Sequence, residues 1–147
     1  MKRKILYIGN KLAAKGATPT SIDTLGPKLA ASGFLLRYVG TKTSKAKRLI
    51  QMLFAIFKNR NWIDYVLIDT YSTQNFWFAY LSARLCVFFQ LKYIPILHGG
   101  NLPYRLKSNP KASDFLFKKS YLNVSPSLYL KVFFNSQGYS VIHIPNA

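Results

Sequence analysis

Six short apolar runs recur along the chain, and their spacing constrains the possible folds more than any other feature. The runs begin near Ile5, Leu35, Tyr65, Tyr93, Tyr121 and Val141. Neighbouring runs start about 30 residues apart, except for a shorter last step, and this is the size of a strand with its connecting helix. Because the intervening segments carry helical patterns, the alternation predicts an α/β fold with a parallel sheet of about six strands and helices on both faces.

Cap and stop signals give approximate bounds for the connecting helices. Helices are predicted at about residues 18–32, 44–59, 72–91, 111–119 and 127–138. Thr18 followed by Pro19 is typical of a helix start, and Ser72 is the predicted cap of the third helix. The third helix is apolar all round, which predicts that it is buried on every side. The stretch 102–109 is predicted to be a loop.

The charge of the chain is strongly one-sided. It carries 21 Lys and Arg against 4 acidic residues, a formal net charge of +17. Such an excess indicates a polyanionic neighbour: a membrane surface, a nucleic acid or a phosphorylated substrate. The single Cys86 excludes an internal disulfide and favours a reducing, cytoplasmic compartment. The most apolar stretch, 76–89, is interrupted by Ser82 and Arg84 and is too short to span a bilayer.

Several common sites are excluded by their missing motifs. A dinucleotide site needs G-x-G-x-x-G after the first strand and a carboxylate after the second. This chain has only Gly9 and Gly16 in the first loop, and its second run ends in Gly40, Thr41 and Lys42. No phosphate-binding lysine motif, zinc-ligand spacing or nucleophile elbow is present. We therefore expect no cofactor and no metal ion.

The strongest candidate for a site is the stretch 93–103, in which a buried strand runs into a glycine-rich turn. His98 follows that strand, at the edge of the sheet where ligands bind in open α/β folds. It is interpreted either as a ligand-contacting imidazole or as a loop histidine bonded to backbone. Asp69, at the end of the third run, is either a general base or the cap of the next helix. His143 is predicted to be structural.

The first loop offers a second candidate. Gly16 to Thr20 is interpreted either as a phosphate cradle or as an ordinary capped helix start. In the cradle, backbone N–H groups and the hydroxyls of Thr18 and Thr20 would bind the anion.

Four motifs taken together resemble the N-terminal half of a GT-B glycosyltransferase of the retaining, nucleotide-sugar-dependent group. They are the glycine-containing first loop, Leu97-His98-Gly99-Gly100-Asn101-Leu102-Pro103, Val124-Ser125-Pro126-Ser127 and Ile144-Pro145-Asn146. The resemblance covers 1–147 and implies one Rossmann-like domain of a two-domain enzyme, the acceptor-side one. The donor-binding domain, with its paired glutamates, would be absent from this sequence.

The resemblance also implies residue roles. Gly16 would approach the donor diphosphate, and His98 would contact the transferred sugar or organise the reacting centre. Asn146 would lie at the hinge into the second domain. The residues themselves add Thr18, whose hydroxyl would bind beside Gly16, and the polar turn Gly99, Gly100 and Asn101, where a substrate can approach the backbone. Ala17 after Gly16 departs from the paired glycines frequent in the family.

These expectations combine into a cytoplasmic glycosyltransferase half that is associated with the inner face of the membrane. The chain is interpreted either as a fragment of a longer enzyme or as a split subunit whose partner supplies the donor domain. With that domain it would move a sugar from a nucleotide diphosphate to a lipid-linked or polysaccharide acceptor. One alternative is a nucleic-acid-binding module, although the aromatics follow core patterns and are not interleaved with Lys and Arg, so no nucleic acid is expected. Another is a non-catalytic docking domain.

The second predicted helix has more apolar surface than a sheet-covering helix needs. One arc of about 200° holds eight apolar residues, where about 100° would suffice: Ala46, Leu49, Ile50, Met52, Leu53, Phe54, Ile56 and Phe57. The polar side is predicted to hold Lys47, Arg48, Gln51, Lys58 and Asn59. The surplus predicts docking on an anionic membrane, and the alternative is a core helix with a wide apolar face.

Overall fold

The fold has three layers, with one β-sheet between helices that pack on both of its faces. A computed structural model describes residues 2–145. The strands are β1 (Lys4–Ile8), β2 (Leu35–Val39), β3 (Tyr65–Thr70), β4 (Lys92–Leu97), β5 (Asn123–Ser125) and β6 (Val141–His143). The helices are α1 (Ser21–Ala31), α2 (Lys45–Asn59), α3 (Asn75–Phe88), α4 (Leu102–Ser108), α5 (Pro110–Lys118) and α6 (Leu128–Ser136), with a 3₁₀ turn at Ala13–Lys15.

All six strands are parallel and lie in the order β2-β1-β3-β4-β5-β6. The predicted α/β class and strand number are therefore confirmed. The central strands β1, β3 and β4 are buried on both faces, which is why they read as nearly continuous apolar runs in the sequence. β5 begins at Asn123 rather than at Tyr121, so this strand is shorter than the sequence predicted.

The two faces of the sheet are covered unequally. Alternate side chains of β1 and β3, such as Leu6 and Val66, pack in one core with α2, α3, α5 and α6. The intervening side chains, such as Tyr7 and Leu67, pack in a second core under α1. Helices on both faces are thus confirmed, with α1 alone on one of them.

Because the strands are parallel, their carboxyl ends share one edge of the sheet. Gly9, Thr41, Asp69, His98 and Ser125 lie at or just beyond these ends, and His98 is thus at the edge predicted for it. Asn146, predicted for the hinge, lies outside the described residues.

Two predicted helix starts are wrong. The first helix begins after Thr20 rather than after Thr18, because the Asp23 carboxylate accepts the Thr20 N–H at 3.0 Å. The third helix begins at Asn75 rather than after Ser72. The Ser72 carbonyl instead accepts Nε of Arg105 at 2.8 Å.

The predicted loop at 102–109 is in fact helix α4. Pro103 in the first turn favours a helix start. The Arg105 guanidinium donates hydrogen bonds to the carbonyls of Ser72 and Thr73, in the connection between β3 and α3. This tertiary contact holds the short helix beside the carboxyl edge of the sheet.

The second helix has nearly the predicted bounds, with Ser44 as its cap. The side of the helix predicted for one residue is wrong. Arg48, predicted on the polar side, is only 4% exposed. Its guanidinium donates to the carbonyls of Lys42 and Thr43, at 3.0 and 3.3 Å, and burial lowers its pKa. The helical periodicity could not show that the preceding loop offers carbonyl partners for a buried cation.

The third helix is buried on one face only, which contradicts the prediction of burial on every side. Phe76, Ala79, Ala83 and Cys86 face the core. The large apolar side chains on its other face are exposed: Trp77, Leu81 and Phe88.

Candidate active site

The register of three neighbouring strands brings together residues that are far apart in the sequence. Tyr7 on β1 lies opposite Leu67 on β3, and Asp69 on β3 lies opposite Ile96 on β4. Since side chains alternate along a strand, Tyr7, Asp69 and His98 all project from the face that α1 covers. The order β1-β3-β4 therefore places Asp69 between the tyrosine and the histidine.

The three side chains form a hydrogen-bonded chain. His98 Nε2 lies 2.8 Å from Asp69 Oδ1, and the Tyr7 hydroxyl donates to the same oxygen at 3.0 Å. Tyr7 and the Asp69 carboxylate are completely buried, whereas 12% of the His98 side chain is exposed. Asp69 is therefore not the cap of the next helix, which was one of its two interpretations from the sequence. It anchors the imidazole, and only the outer end of this chain reaches the surface.

This arrangement fixes the His98 ring. A carboxylate oxygen can only accept, so the short contact requires a proton on Nε2, and in the neutral ring Nδ1 then carries a free lone pair. Among residues 2–145, no protein group hydrogen-bonds Nδ1. The Tyr71 ring stacks on the imidazole at 5.0 Å, inclined by 25°, and the His98 backbone N–H donates to the Thr70 carbonyl at 2.9 Å. In the neutral ring, Nδ1 is thus a pre-oriented hydrogen-bond acceptor at the ligand edge.

The two tyrosines of the site are held in their neutral forms. Burial, and then the nearby Asp69 charge, raises the pKa of Tyr7 far above its ordinary value. Burial also raises the pKa of Tyr71, with the charges of Asp69 and Asp23 adding to the effect. Asp23 lies in the first turn of α1, so this helix start belongs to the surroundings of the site.

Glycines make room for the carboxylate and for the loop that covers it. A Cβ at Gly9 would lie 2.5 Å from Asp69 Oδ2. Gly40 has φ of +118°, and a Cβ there would lie 1.6 Å from the Gly9 carbonyl oxygen. Both positions require glycine, because a side chain would collide with the backbone or with the buried acid.

A cavity of about 10 Å³ adjoins the carboxylate, and Asp69, Tyr71, Asn75 and Phe78 are among its lining residues. Asp69 Oδ2 and Asn75 Oδ1 are buried and have no hydrogen-bond partner among the described residues. The cavity is just large enough for one small hydrogen-bond donor, such as a water molecule, and the two residues that carry these unpaired oxygens line it.

The first loop lies at the same edge, but its backbone donors are engaged. The Gly16 N–H donates to the Ala13 carbonyl at 3.1 Å, and the Ala17 N–H donates to the Leu12 carbonyl at 3.2 Å. Thr18 is exposed. A phosphate cradle at Gly16 and Thr18 would therefore need this loop to rearrange, and that role stays a prediction.

The turn after His98 is open to solvent. Gly99, Gly100 and Asn101 are exposed, and Asn101 directly precedes α4. No atom would lie within 4 Å of a Cβ added at Gly99 or Gly100. A ligand can therefore approach the backbone here, and the binding role of these three residues also stays a prediction.

His143 was predicted to be structural. Its Nε2 lies 3.2 Å from the Pro126 carbonyl oxygen.

Within the described part of the chain, no three His, Cys, Asp or Glu side chains gather in one place, so the structure supplies no ligand set for a metal ion. Sequence reasoning missed Tyr7, which carries no local signal because it reads as one more apolar strand residue.

The sequence matches no protein-family model, and no curated protein shows significant similarity to it.

Proposed function

We propose that this chain is the acceptor-side half of a nucleotide-sugar-dependent glycosyltransferase. The observation that carries the proposal is the buried Tyr7–Asp69–His98 chain, which ends in an open imidazole nitrogen at the carboxyl edge of a parallel sheet. Ligands of open α/β folds bind at this edge. The resemblance of the surrounding loops to GT-B enzymes supplies the reaction class.

His98 is the proposed catalytic residue. With Nε2 held by Asp69, Nδ1 can accept a hydrogen bond from a sugar hydroxyl at the reacting centre. The buried carboxylate keeps the ring in one tautomer and would stabilise any positive charge that develops on it. Gly99 and Gly100 beside it let the sugar approach the backbone.

The proposed reaction joins two substrates. The bond from the sugar anomeric carbon to the donor diphosphate oxygen breaks, a bond to an acceptor hydroxyl oxygen forms, and the hydroxyl proton leaves with the diphosphate. A second domain, supplied by a partner chain or by a longer form of this one, would hold the nucleotide. The chain alone would therefore not transfer sugar, because both substrates must be held in register.

The proposed acceptor is lipid-linked or a polysaccharide, and the proposed place of action is the inner face of the cytoplasmic membrane. The +17 charge supports this assignment, because a lipid phosphate and an anionic leaflet both attract cations. No helix among residues 2–145 is long and apolar enough to cross a membrane.

The two histidines allow a direct test of the proposal. Long-range ¹H–¹⁵N spectra of the imidazoles should contain only the signals of His98 and His143, and a His143→Gln variant assigns them. Titration with a short-chain prenyl-phosphate saccharide, or with a soluble glycoside, should shift the Nδ1 signal of His98. His143 serves as the internal control and should not move.

Two outcomes would contradict the proposal. One is that no saccharide acceptor binds the chain, and that none of them moves the His98 signals. The other is that an RNA oligonucleotide shifts them and saccharides do not, which would favour the nucleic-acid alternative.

A further inference from the structure

We infer that α2 and α3 together form a docking surface for an anionic lipid bilayer, and that this surface sets the ligand edge beside the membrane. On α2 the exposed apolar residues are Ile50, Phe54 and Phe57. On α3 they are Trp77, Leu81 and Phe88. Each set follows helical spacings of three, four or seven residues, so each forms a stripe along one side of its helix.

The two stripes lie on the outward faces of adjacent helices. Met52 and Ile56 of α2 and Ala79, Ala83 and Cys86 of α3 point into the same core, so the exposed stripes point away from the sheet. At the carboxyl ends of the helices, the Phe57 and Phe89 rings lie 6.0 Å apart. The six apolar side chains therefore belong to one two-helix surface.

The charge around this surface suits an anionic partner. Neither α2 nor α3 contains an acidic residue, and the cations on or beside the stripes are Lys45, Lys47, Lys58, Arg60 and Arg84. The Arg60 guanidinium lies 4.3 Å from the centre of the Phe57 ring, so a cation and an aromatic are presented together. Exposed apolar side chains bordered by cations are the pattern of interfacial membrane helices. A nucleic acid needs the cations but gives no reason for the aliphatic Ile50 and Leu81.

A groove lies beside the surface and shares one lining residue with the small cavity next to Asp69. It has a volume of about 280 Å³ and is lined by Lys45, Ala46, Gln74, Trp77 and Phe78, at the amino ends of the two helices. Phe78 also lines the small cavity beside Asp69. Because both helices begin at the carboxyl edge of the sheet, the end of the surface that carries Trp77 lies nearest the site, and a lipid-linked acceptor would present its sugar from that end.

The inference rests on the proposed function in one respect only, namely that the acceptor is linked to a lipid of the docked membrane. Vesicle binding needs neither a donor sugar nor a partner, so the docking surface and the transferase proposal can fail separately. If the wild-type chain does not bind vesicles but saccharides still shift the His98 signals, the docking surface alone is rejected. If the chain binds vesicles but saccharides do not shift the His98 signals, the transferase proposal alone is rejected.

The test compares two matched double variants of the full chain in flotation with vesicles. Phe54→Ser with Phe88→Ser removes one exposed aromatic from each helix, at 61% and 75% exposure. Tyr129→Ser with Val132→Ser removes two comparably exposed apolar side chains, both at 60%, from α6. Binding to phosphatidylglycerol-containing vesicles should fall at least about tenfold in the first variant, equivalent to about 1.4 kcal/mol, and stay unchanged in the second.

A second measurement uses no substitution on the surface itself. Trp62→Phe leaves Trp77 as the only tryptophan, and brominated lipid should quench its fluorescence in anionic vesicles but not in pure phosphatidylcholine vesicles. The proposal is overturned if the wild-type chain does not bind, if both double variants bind equally, if Trp77 is not quenched, or if RNA binds more tightly than the vesicles.

Discussion

Replacing Tyr7 by Phe tests whether the buried hydrogen-bonded chain is a real feature of the folded protein. The change removes one oxygen atom from a completely buried residue and leaves its ring packed against Ile22 and Leu67. Asp69 Oδ1 then keeps only its contact with His98 at 2.8 Å, because Oδ2 already lacks a partner among the described residues.

The expected loss follows from the kind of bond removed. A hydrogen bond to a charged group contributes about 1.5–3 kcal/mol, so Tyr7→Phe should lower the free energy of unfolding by about that amount. For a domain of this size, Tm should fall by roughly 2–4 °C per kcal/mol. Chemical unfolding at neutral pH, followed by circular dichroism, measures both quantities. Tyr129→Phe, at an exposed position, is the matched control and should change neither.

The pH dependence gives a second, more specific signature. Between neutral pH and about pH 10, Tyr7 keeps its proton in both the folded and the unfolded chain, so the difference between wild type and variant stays constant. Above about pH 10 the unfolded chain releases this proton while the folded chain retains it, because the pKa of Tyr7 is raised. The wild type therefore loses about 1.4 kcal/mol per pH unit that the variant does not lose.

The gap between the two proteins should thus narrow with rising alkaline pH, while the other tyrosines contribute equally to both. A destabilisation at neutral pH below about 0.5 kcal/mol, the range of ordinary surface substitutions, would refute the reasoning. So would a gap that stays constant or widens between about pH 10 and 11.

Three further predictions concern other parts of the structure. Gly40→Ala should cost more than about 3 kcal/mol or abolish folding, as judged by thermal unfolding, whereas Gly100→Ala, in open space, should cost little. Burial raises the pKa of Cys86 to about 12, so iodoacetamide at pH 8 should label it only after denaturation, and rapid native labelling would contradict its placement. The purified chain should show no sugar transfer by itself. With a donor domain supplied, His98→Ala should lower turnover far more than it lowers Tm, and unchanged turnover would assign His98 a structural role.

The number of strands, their order along the chain and the bounds of α2 could be predicted from the sequence alone. These features depend on local signals, such as the apolar runs of β1 and β4 and the cap at Ser44, which act within a few residues. The position of His98 at the ligand edge follows from the same signals, because it needs only the end of β4 and a parallel sheet.

The surface of α3 and the burial of Arg48 required the tertiary structure. A helix that is apolar all round has no periodicity to show which side meets the core, so the exposure of Trp77 and Phe88 depends on where the sheet lies. Arg48 is buried because the loop before α2 folds back and offers its carbonyl groups. No pattern within the helix itself encodes that loop.

The partners of His98 were also decided by the tertiary structure. Tyr7 and Asp69 are separated by 62 positions and Asp69 and His98 by 29, and no local pattern links them. They meet because β3 lies between β1 and β4 in a register that points all three side chains to one face. Strand order and register are set by the packing of the whole sheet, so the sequence could mark the edge where a site forms but not the buried hydrogen bonds that orient it.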